Sequence, residues 1–356
     1  MQQTEPLRDH YAAAMPTPSP RIGVASLIEH PIGELAHRAA TLESLGYDDI
    51  WVPDERLLRN VYISLAAVAG ATTRVGLGTA VTNPYTRHPV ITAAAIATID
   101  EMSGGRATLA LGAGGGLPAY GIERRDPVGT LRETIEIIRR LTAGESVTMS
   151  GKHFSLLDAH LDFPPVRQVP VYLAARGPRI LQLAGETADG VIIGGFTSRA
   201  GIGFAQELVE RGLEHSGRSW SDLDQMAWVY VSAARDHDAA RVAVSKQVLA
   251  SLITSREILD EIGIELPASL RAHLDATGWA YPRETPQEAA DLLPDAIVDA
   301  FSVHGTPAEC VAGLRQIQAC GIHHIGLVLF PPEGQTVTGL AQLLSEEVVS
   351  VLRAPG

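Results

Sequence analysis

The sequence predicts an α/β fold: a (β/α)8 TIM barrel with insertions, the largest between the seventh and eighth strands. Eight short apolar segments follow one another from residue 21 onward, and nearly all precede a helical pattern. Polar residues follow several of these segments, where barrel enzymes keep their chemistry. A doubly wound open sheet is the alternative, but no G-x-G-x-x-G motif follows the first predicted strand.

Apolar spacing, glycine and proline define the predicted elements. The first helix has apolar residues every three or four positions from Leu35 and stops at Gly46. The predicted strands are Arg21–Ser26, Asp49–Val52, Val75–Val81, Ala107–Leu111, Val169–Ala174, Gly190–Ile193, Met226–Ser232 and Ile322–Phe330. The helices expected between them are Glu34–Leu45, Val61–Ala71, Pro89–Met102, Leu131–Leu141, Arg179–Ala184 and Ile202–Leu213, with a seventh beginning near Asp238.

We expect one folded domain. Residues 1–20 are rich in proline and polar residues and are predicted to be a loose N-terminal arm, with residues 21–356 forming a single barrel domain. The residues beyond the eight strand–helix units lie at about 143–169 and, above all, at about 236–302. Long insertions at the C-terminal face of a barrel often act as lids or substrate walls, but a packed helical excursion is an equal alternative.

Charge and composition exclude two classes of partner. The formal net charge of −13 argues against nucleic acid, because phosphate binding needs clustered Lys and Arg. No apolar run approaches the ~20 residues that span a bilayer, and the N-terminus lacks the pattern of a signal peptide. The two cysteines, Cys310 and Cys320, are expected to be free thiols, which fits a cytoplasmic protein.

The third predicted strand contains two glycines, Gly76 and Gly78. Glycine inside a barrel strand indicates a bulge or the close approach of another group. Either a flat ligand lies against this strand, or the glycines serve tight packing within the barrel, and the pattern alone does not separate these interpretations.

Polar side chains cluster after the second and third strands. Asn83, Tyr85, Arg87 and His88 combine an amide, a phenol, a guanidinium and an imidazole within six residues, a set that suits a polar heterocycle or an anionic tail. The pair Asp54-Glu55 lies beside arginines. It is either an exposed salt-bridge cluster or a site acid whose neighbours tune its pKa, and its position after a strand favours the second interpretation.

Two glycine-containing turns are candidate phosphate sites. The segment 112–116 exposes successive backbone N–H groups, although a flexible turn would look the same. In the segment 174–179 a strand ends, Gly177 frees the backbone and Pro178 opens a helix, whose N-terminus favours anions. Arg176 would add a charge-assisted contact there.

The remaining histidines give weak signals. Glu29-His30 and His304 are candidates, but a lone histidine is more often structural. His323-His324 has no carboxylate or cysteine partner at metal-ligand spacing, and we predict no metal site.

Several segments together resemble one family. They are VTNPYTRHP with AIATIDEMSGGRATLALG, RNVYISLAAVA, GIERRDPVGTLRETIEIIRRLTAGE, VPVYLAARGPRILQLAGETADGVIIGG and DAFSVHGTPAEC. The chain resembles the luciferase-like flavin and deazaflavin superfamily, and within it the coenzyme F420-dependent methylenetetrahydromethanopterin reductases. The resemblance covers roughly residues 21–195 and 300–330. The first block is fairly specific, whereas AARGP separates deazaflavin users from FMN users poorly.

The resemblance implies a cofactor site at the C-terminal mouth of the barrel, for coenzyme F420 or alternatively FMN. It implies a non-prolyl cis peptide between Ala80 and Val81 that backs the tricyclic ring. Asp54 matches a cofactor-contacting acid, and Asn83 matches a contact to the ring edge. The phosphate cradle maps to Gly112, Gly114, Ala174, Ala175, Arg176 and Gly177.

Departures from the family pattern concern the substrate. Glu55 stands where many relatives have histidine, and Leu117 where some carry an acid. The glutamate that relatives acting on methanopterin carry in the first strand is Ala25 or Ser26 here. The substrate is therefore expected only to be a small molecule.

The resemblance leads to one main hypothesis and two alternatives. The main one is an F420-dependent oxidoreductase that transfers a hydride at the deazaflavin C5, with Glu55, Glu29 or His88 as the acid or base. The alternatives are an FMN-dependent monooxygenase and a barrel that binds a flavin without catalysis. Family analogy also suggests a homodimer.

Overall fold

Parallel strands close into a barrel surrounded by helices in this computed structural model, which describes residues 19–25, 31–55, 57–279 and 287–354. The strands are β1 (Arg21–Ala25), β2 (Asp49–Val52), β3 (Gly76–Thr79), β4 (Ala107–Leu111), β5 (Val147–Ser150), β6 (Ser155–Ala159), β7 (Val171–Ala175), β8 (Gly190–Gly194), β9 (Asp224–Ala233), β10 (Ser302–Gly305) and β11 (His324–Leu329). The closed ring runs β1-β2-β3-β4-β7-β8-β9-β11 and returns to β1. The predicted (β/α)8 barrel is confirmed.

Helices follow the barrel strands. They are α1 (Ile32–Ser44), α2 (Val61–Ala71), α3 (Pro89–Ser103), α4 (Pro127–Thr142), α5 (Pro178–Thr187), α6 (Arg199–Ser216), α7 (His237–Thr254), α8 (Ala268–Ala276), α9 (Gln287–Ala290), α10 (Asp295–Phe301), α11 (Pro307–Gln318), α12 (Val337–Leu344) and α13 (Ser350–Arg353). Side-chain hydrogen bonds to the first backbone N–H groups fix where some of these helices begin. The Asn60 side chain accepts hydrogen bonds from two N–H groups of α2, and Thr306 and Glu309 form a capping box on α11.

Two features were not predicted from the sequence. The stretch 143–169, expected to be a connection, contains an antiparallel hairpin of β5 and β6. The short strand β10 pairs in parallel with residues 230–233 of β9, beyond the part of β9 that pairs with β8. The expected insertion at 236–302 contains α7 to α10.

Glycines and large side chains share the lower half of the barrel interior. A Cβ atom on Gly78 would lie 2.2 Å from the indole ring of Trp51, and one on Gly23 would lie 2.8 Å from the same residue. Gly190 makes the same room for Tyr172, and Gly326 for Met226. A Cβ on Gly76 would meet Asp49. The glycines of β3 therefore serve packing inside the barrel, and no ligand is needed to explain them.

Charged side chains close the base of the barrel beneath the layer of Trp51, Tyr172 and Met226. Arg21 binds Asp49 through Nε–Oδ2 at 2.6 Å. Asp224 Oδ2 lies 2.6 Å from both the Tyr172 hydroxyl and His324 Nδ1. His324 Nε2 lies 3.3 Å from Asp49 Oδ2, without the alignment of a hydrogen bond. His323-His324 is thus explained in part by a structural ion cluster.

The cluster shifts the pKa of its members. Burial acts to lower the pKa of His324, but the contacts with Asp224 and Asp49 outweigh it and raise that pKa. Burial acts to raise the pKa of Asp49 and of Asp224, but their contacts with His324 and Arg21 hold both below the ordinary range. The folded protein thus favours a protonated imidazole between two carboxylates.

Replacing Gly78 with alanine is expected to destabilise the barrel, because the added methyl group would overlap the Trp51 ring. We expect Gly78→Ala to lower the free energy of unfolding by about 1–3 kcal/mol, measured by urea denaturation. Gly70→Ala is the control, since Gly70 lies in α2 and, apart from its chain neighbours and the backbone of its own helix, no atom lies within 4 Å of the added carbon. The control should be neutral or stabilising. A Gly78→Ala protein as stable as the wild type would contradict the packing.

The His324 cluster predicts a loss of stability at alkaline pH. The folded-state pKa of His324 is raised above 6.5, so its contribution is complete below that pH and is lost as pH rises through the raised value. The wild type should thus have a lower free energy of unfolding at about pH 9 than at about pH 6. His324→Gln should weaken this dependence, and His215→Gln, which removes an exposed histidine, should retain it. Equal dependence in all three proteins would refute the assignment.

Candidate active site

The upper half of the barrel interior has two unlike sides. Continuing the alternation of each strand, the positions at the C-terminal ends of β3, β4, β7 and β8 carry only small residues. We call these the small-residue arc: Ala80, Gly112, Ala174 and Gly194. Large side chains follow on β9 and β11. We call these the aromatic arc: Trp228, Tyr230 and Phe330, which pack with Ala25 and Val328. A flat group can therefore approach the backbone on one side of the mouth only.

The end of β3 has the backbone geometry that the resemblance implied. The peptide bond between Ala80 and Val81 is cis, so this prediction is confirmed. The next residue, Thr82, donates its N–H to Ala110 O at 3.0 Å and accepts from Gly112 N at 2.9 Å. A Cβ on Gly112 would lie 2.7 Å from Val81 Cγ2. The segment after β3 is thus held against the end of β4.

Asp54, at the end of β2, is tied to this segment through one carboxylate oxygen. Its Oδ2 accepts from the Thr82 hydroxyl at 2.6 Å and from Arg87 Nη1 at 3.3 Å. The Arg87 guanidinium in turn lies 4.7 Å from the centre of the Tyr62 ring. Burial raises the pKa of Tyr62 to about 12, which keeps this phenol neutral. Among the described residues Oδ1 of Asp54 has no partner, so one acceptor remains for a ligand.

Asn83 uses half of its side-chain amide to shape the turn that follows. Its Oδ1 accepts from the N–H groups of Tyr85 and Thr86, both at 3.0 Å. This Asx turn requires the oxygen to face the backbone, so the NH2 group faces away. No acceptor for Nδ2 lies within the described ranges, and Asn83 is 7% exposed. A nearly buried amide donor is therefore left to a ligand.

In the segment from Ala174 to Gly177, the backbone N–H groups are better placed to bind an anion than the Arg176 guanidinium is. Within the described part of the chain, the N–H groups of Arg176 and Gly177 have no acceptor, and a Cβ on Gly177 would meet nothing within 4 Å. Helix α5 begins at Pro178 and adds the positive end of its dipole. The Arg176 guanidinium instead contacts protein groups of β8, β9 and α7.

The second glycine turn, at 112–116, is packed against an apolar side chain. Gly114 has φ +78°, and a Cβ there would meet Leu117 at 2.8 Å. Leu117, which stands where some relatives carry an acid, is 1% exposed and packs against this turn. The turn is thus shaped by an apolar contact.

The predicted acid–base residues lie away from the barrel interior, as far as they are described. Glu55 is exposed at the rim. His88 is exposed and caps α3, since its Nδ1 accepts from Val90 N at 3.4 Å, and its ring packs edge-on against Phe154. Glu29 and His30 lie outside the described residues. The catalytic roles of Glu55, Glu29 and His88 stay predictions.

His304 belongs to a separate group beside β10. It is 7% exposed, and its Nδ1 lies 3.1 Å from Ser302 Oγ. Burial, the largest effect, lowers the pKa of His304. A cavity of about 420 Å³ lies there, lined in part by His237, Asp299, His304 and Glu309. Across the described ranges no group of three His, Cys, Asp or Glu side chains is placed to hold a metal ion.

Sequence reasoning missed three side chains that the structure brings to the mouth. Tyr62, Thr82 and Tyr230 carry hydroxyl groups, and the first two contact Arg87 and Asp54, respectively. Thr82 directly precedes Asn83, so its position after a strand was a usable signal. Tyr62 and Tyr230 gave none, because a tyrosine in a helix or strand usually indicates core packing.

No helix in the described part of the chain has the length and apolar character to cross a membrane.

Comparison with known proteins places the chain in one family. The model of the luciferase-like monooxygenase family matches residues 12–324. The 5,10-methylenetetrahydromethanopterin reductase of Methanolobus tindarius is 33% identical over 332 residues, 92% of this chain and 99% of the relative. The F420-dependent glucose-6-phosphate dehydrogenase of Amycolatopsis mediterranei is 29% identical over 343 residues, 91% of this chain and 95% of the relative.

A solved structure agrees in fold along nearly its whole length. The coenzyme F420-dependent tetrahydromethanopterin reductase of Methanopyrus kandleri has a TM-score of 0.81 to this structure at 26% identity, covering 94% of this chain and 99% of that one. The family match spans most of the sequence, and the Methanolobus relative is one-third identical over almost all of both chains. The chain therefore belongs to the luciferase-like monooxygenase family.

Proposed function

We propose that the protein is a coenzyme F420-dependent oxidoreductase that transfers a hydride between the deazaflavin C5 and a small organic substrate. The observation that carries this proposal is the small-residue arc, which leaves a flat surface for a tricyclic ring on one side of the mouth only. Two of the three proteins compared above carry F420 in their names. Those proteins act on unlike substrates, so we extend the reaction class and the cofactor to this chain, and not a substrate.

The polar atoms around the arc that have no partner among the described residues fit such a cofactor. Asp54 Oδ1 is an acceptor and Asn83 Nδ2 a donor, and a pyrimidine-type ring edge presents the complementary groups. The N–H groups of Arg176 and Gly177, with the helix dipole of α5, suit the phosphate of its tail. Coenzyme F420 supplies the hydride carrier, and these residues supply orientation and electrostatics. A homodimer is proposed by family analogy, and a cytoplasmic location from the reduced thiols of Cys310 and Cys320.

Direct titration with the two candidate cofactors tests the proposal. We expect the purified protein to bind F420 at least about tenfold more tightly than FMN, followed by the fluorescence of either ring. Tighter binding of FMN would favour the monooxygenase alternative. Binding of neither cofactor would overturn the assignment, and binding of F420 without turnover on any substrate would favour the non-catalytic barrel.

A pair of Asn83 variants separates the turn from the ligand contact. Asn83→Asp keeps an oxygen for the N–H groups of Tyr85 and Thr86 but removes the amide donor. It should bind F420 about tenfold more weakly, the loss of roughly one hydrogen bond to a ligand, with little change in stability. Asn83→Ala should also lose about 1–2 kcal/mol of unfolding free energy, because two N–H groups lose their acceptor.

Both variants are measured by fluorescence titration and by urea denaturation. Unchanged F420 affinity in Asn83→Asp would remove Asn83 from the cofactor site and leave it as a turn residue only.

A further inference from the structure

The aromatic arc faces the small-residue arc across the mouth. The barrel order β1-β2-β3-β4-β7-β8-β9-β11 puts β9 opposite β3, and β11 opposite β4. A ring that lies against the ends of β3 and β4 therefore presents its other face to the aromatic arc. The ring of Phe330 meets that of Tyr230 edge-on, with centroids 5.8 Å apart. Most of this wall is apolar, so it suits an organic substrate with an apolar body.

Arg176 is fully occupied by protein groups at one end of this wall. Its Nε donates to Gly194 O at 2.8 Å, and its Nη1 contacts Ser251 O and Thr254 Oγ1. Its Nη2 donates to the Tyr230 hydroxyl at 2.9 Å and contacts Ser251 Oγ. A guanidinium has five N–H donors, and these contacts account for all five. Arg176 thus joins the barrel rim to the end of α7.

The contact with Arg176 determines which way the Tyr230 hydroxyl can act. A guanidinium has no acceptor, so the phenol oxygen accepts, and its own hydrogen must be directed elsewhere. Within the described ranges no group accepts that hydrogen. Tyr230 is 6% exposed, and a buried donor without an acceptor costs about 1–3 kcal/mol. A ligand atom that accepts a hydrogen bond would remove this cost.

Two described arginines beside the arcs restrict what that ligand can be. Arg87 is paired with Asp54, and Arg176 is committed to the contacts above. Neither arginine is left to neutralise a charged substrate group beside the aromatic arc. An uncharged molecule with one accepting oxygen satisfies Tyr230, while its apolar part packs on Trp228 and Phe330.

We propose that Tyr230 is a catalytic proton donor to the oxygen of an uncharged carbonyl substrate, and that Arg176 is a positioning residue that orients its hydroxyl. This inference rests on the proposed function. In the reductive direction the carbonyl carbon accepts a hydride, with its two electrons, from the reduced deazaflavin. The π pair of the carbonyl moves to oxygen, and the Tyr230 O–H bond breaks as that oxygen takes the proton. The carbonyl becomes an alcohol, and the phenolate regains a proton from water. The cofactor would supply the hydride from C5 and would release its ring N–H proton to water, so that protons and electrons balance.

Tyr230→Phe tests the proposal with little risk to folding, since it keeps the ring and its packing. Reduced F420 is mixed anaerobically with each protein and a panel of uncharged ketones and aldehydes that includes cyclohexanone, and its reoxidation is followed. We expect Tyr230→Phe to reoxidise it about 100-fold more slowly than the wild type, the usual effect of losing a proton donor. Its affinity for F420, measured by fluorescence, should stay within about twofold.

Tyr172→Phe is the matched control, because it removes another hydroxyl from the barrel interior, at the base and away from the mouth. With the same carbonyl panel, Tyr172→Phe should oxidise reduced F420 at the wild-type rate. Arg176→Lys and Arg176→Met should slow reoxidation while F420 affinity stays within about twofold, which separates positioning of Tyr230 from binding of a phosphate. A lysine retains charge but cannot reproduce the forked contacts.

A second readout needs no turnover. Difference infrared spectra of isotope-labelled cyclohexanone with the F420-bound wild type should show a carbonyl stretch lowered by hydrogen bonding, and Tyr230→Phe should abolish that shift. Any of three results would overturn the inference while leaving the proposed function intact. The first is an unchanged rate of F420 reoxidation in Tyr230→Phe. The second is a tenfold loss of F420 affinity in the Tyr230 or Arg176 variants. The third is a wild type that binds F420 but reduces no carbonyl compound of the panel and shows no shift of the carbonyl stretch. Failure of the wild type to bind F420 would overturn both proposals.

Discussion

The interlocking of glycines with large side chains inside the barrel is the constraint on which the rest of the structure depends. Trp51, Tyr172 and Met226 fill the lower interior because Gly78, Gly190 and Gly326 leave space for them. With the lower half filled, the barrel is a packed core and not a channel. Within the part of the chain that the structure describes, the interior surface left for chemistry is the mouth, where the side chains change abruptly to small residues on four strands and aromatic ones on two.

Hydrogen bonds through Thr82 give this mouth its shape. The residue connects the ends of three strands, since its hydroxyl reaches Asp54 after β2 while its backbone pairs with Ala110 and Gly112 on β4. Arg87 holds the same oxygen of Asp54 from the far side. The carboxylate is thus fixed through Oδ2, while Oδ1 has no partner within the described ranges, which is the arrangement expected of a group that orients a ligand.

Arg176 and Arg87 show why a residue's type does not define its role. Arg176 follows a strand beside a helix N-terminus, and from sequence it predicts a phosphate contact. In the folded chain its donors meet Gly194, Tyr230 and the end of α7, elements 18 to 78 residues away along the chain. From the sequence, Arg87 was one member of a polar cluster that could contact a ligand. In the structure it pairs with Asp54. In both cases the partner lies on another strand, and sequence spacing carries no information about it.

The sequence by itself determined the barrel, most of its strands and helices, and the position of the polar loops, because apolar periodicity and the placement of glycine and proline are local signals. Through family resemblance it also located the cis bond after β3. It did not reveal the β5–β6 hairpin or β10, whose pairing depends on neighbours far along the chain. Only the tertiary structure decided that Gly76 and Gly78 serve packing, that His324 closes an ion cluster, and that Tyr230 is held by Arg176. Each of these roles depends on which side chains meet across the barrel. Strand order and register decide which side chains meet, and spacing along the chain does not.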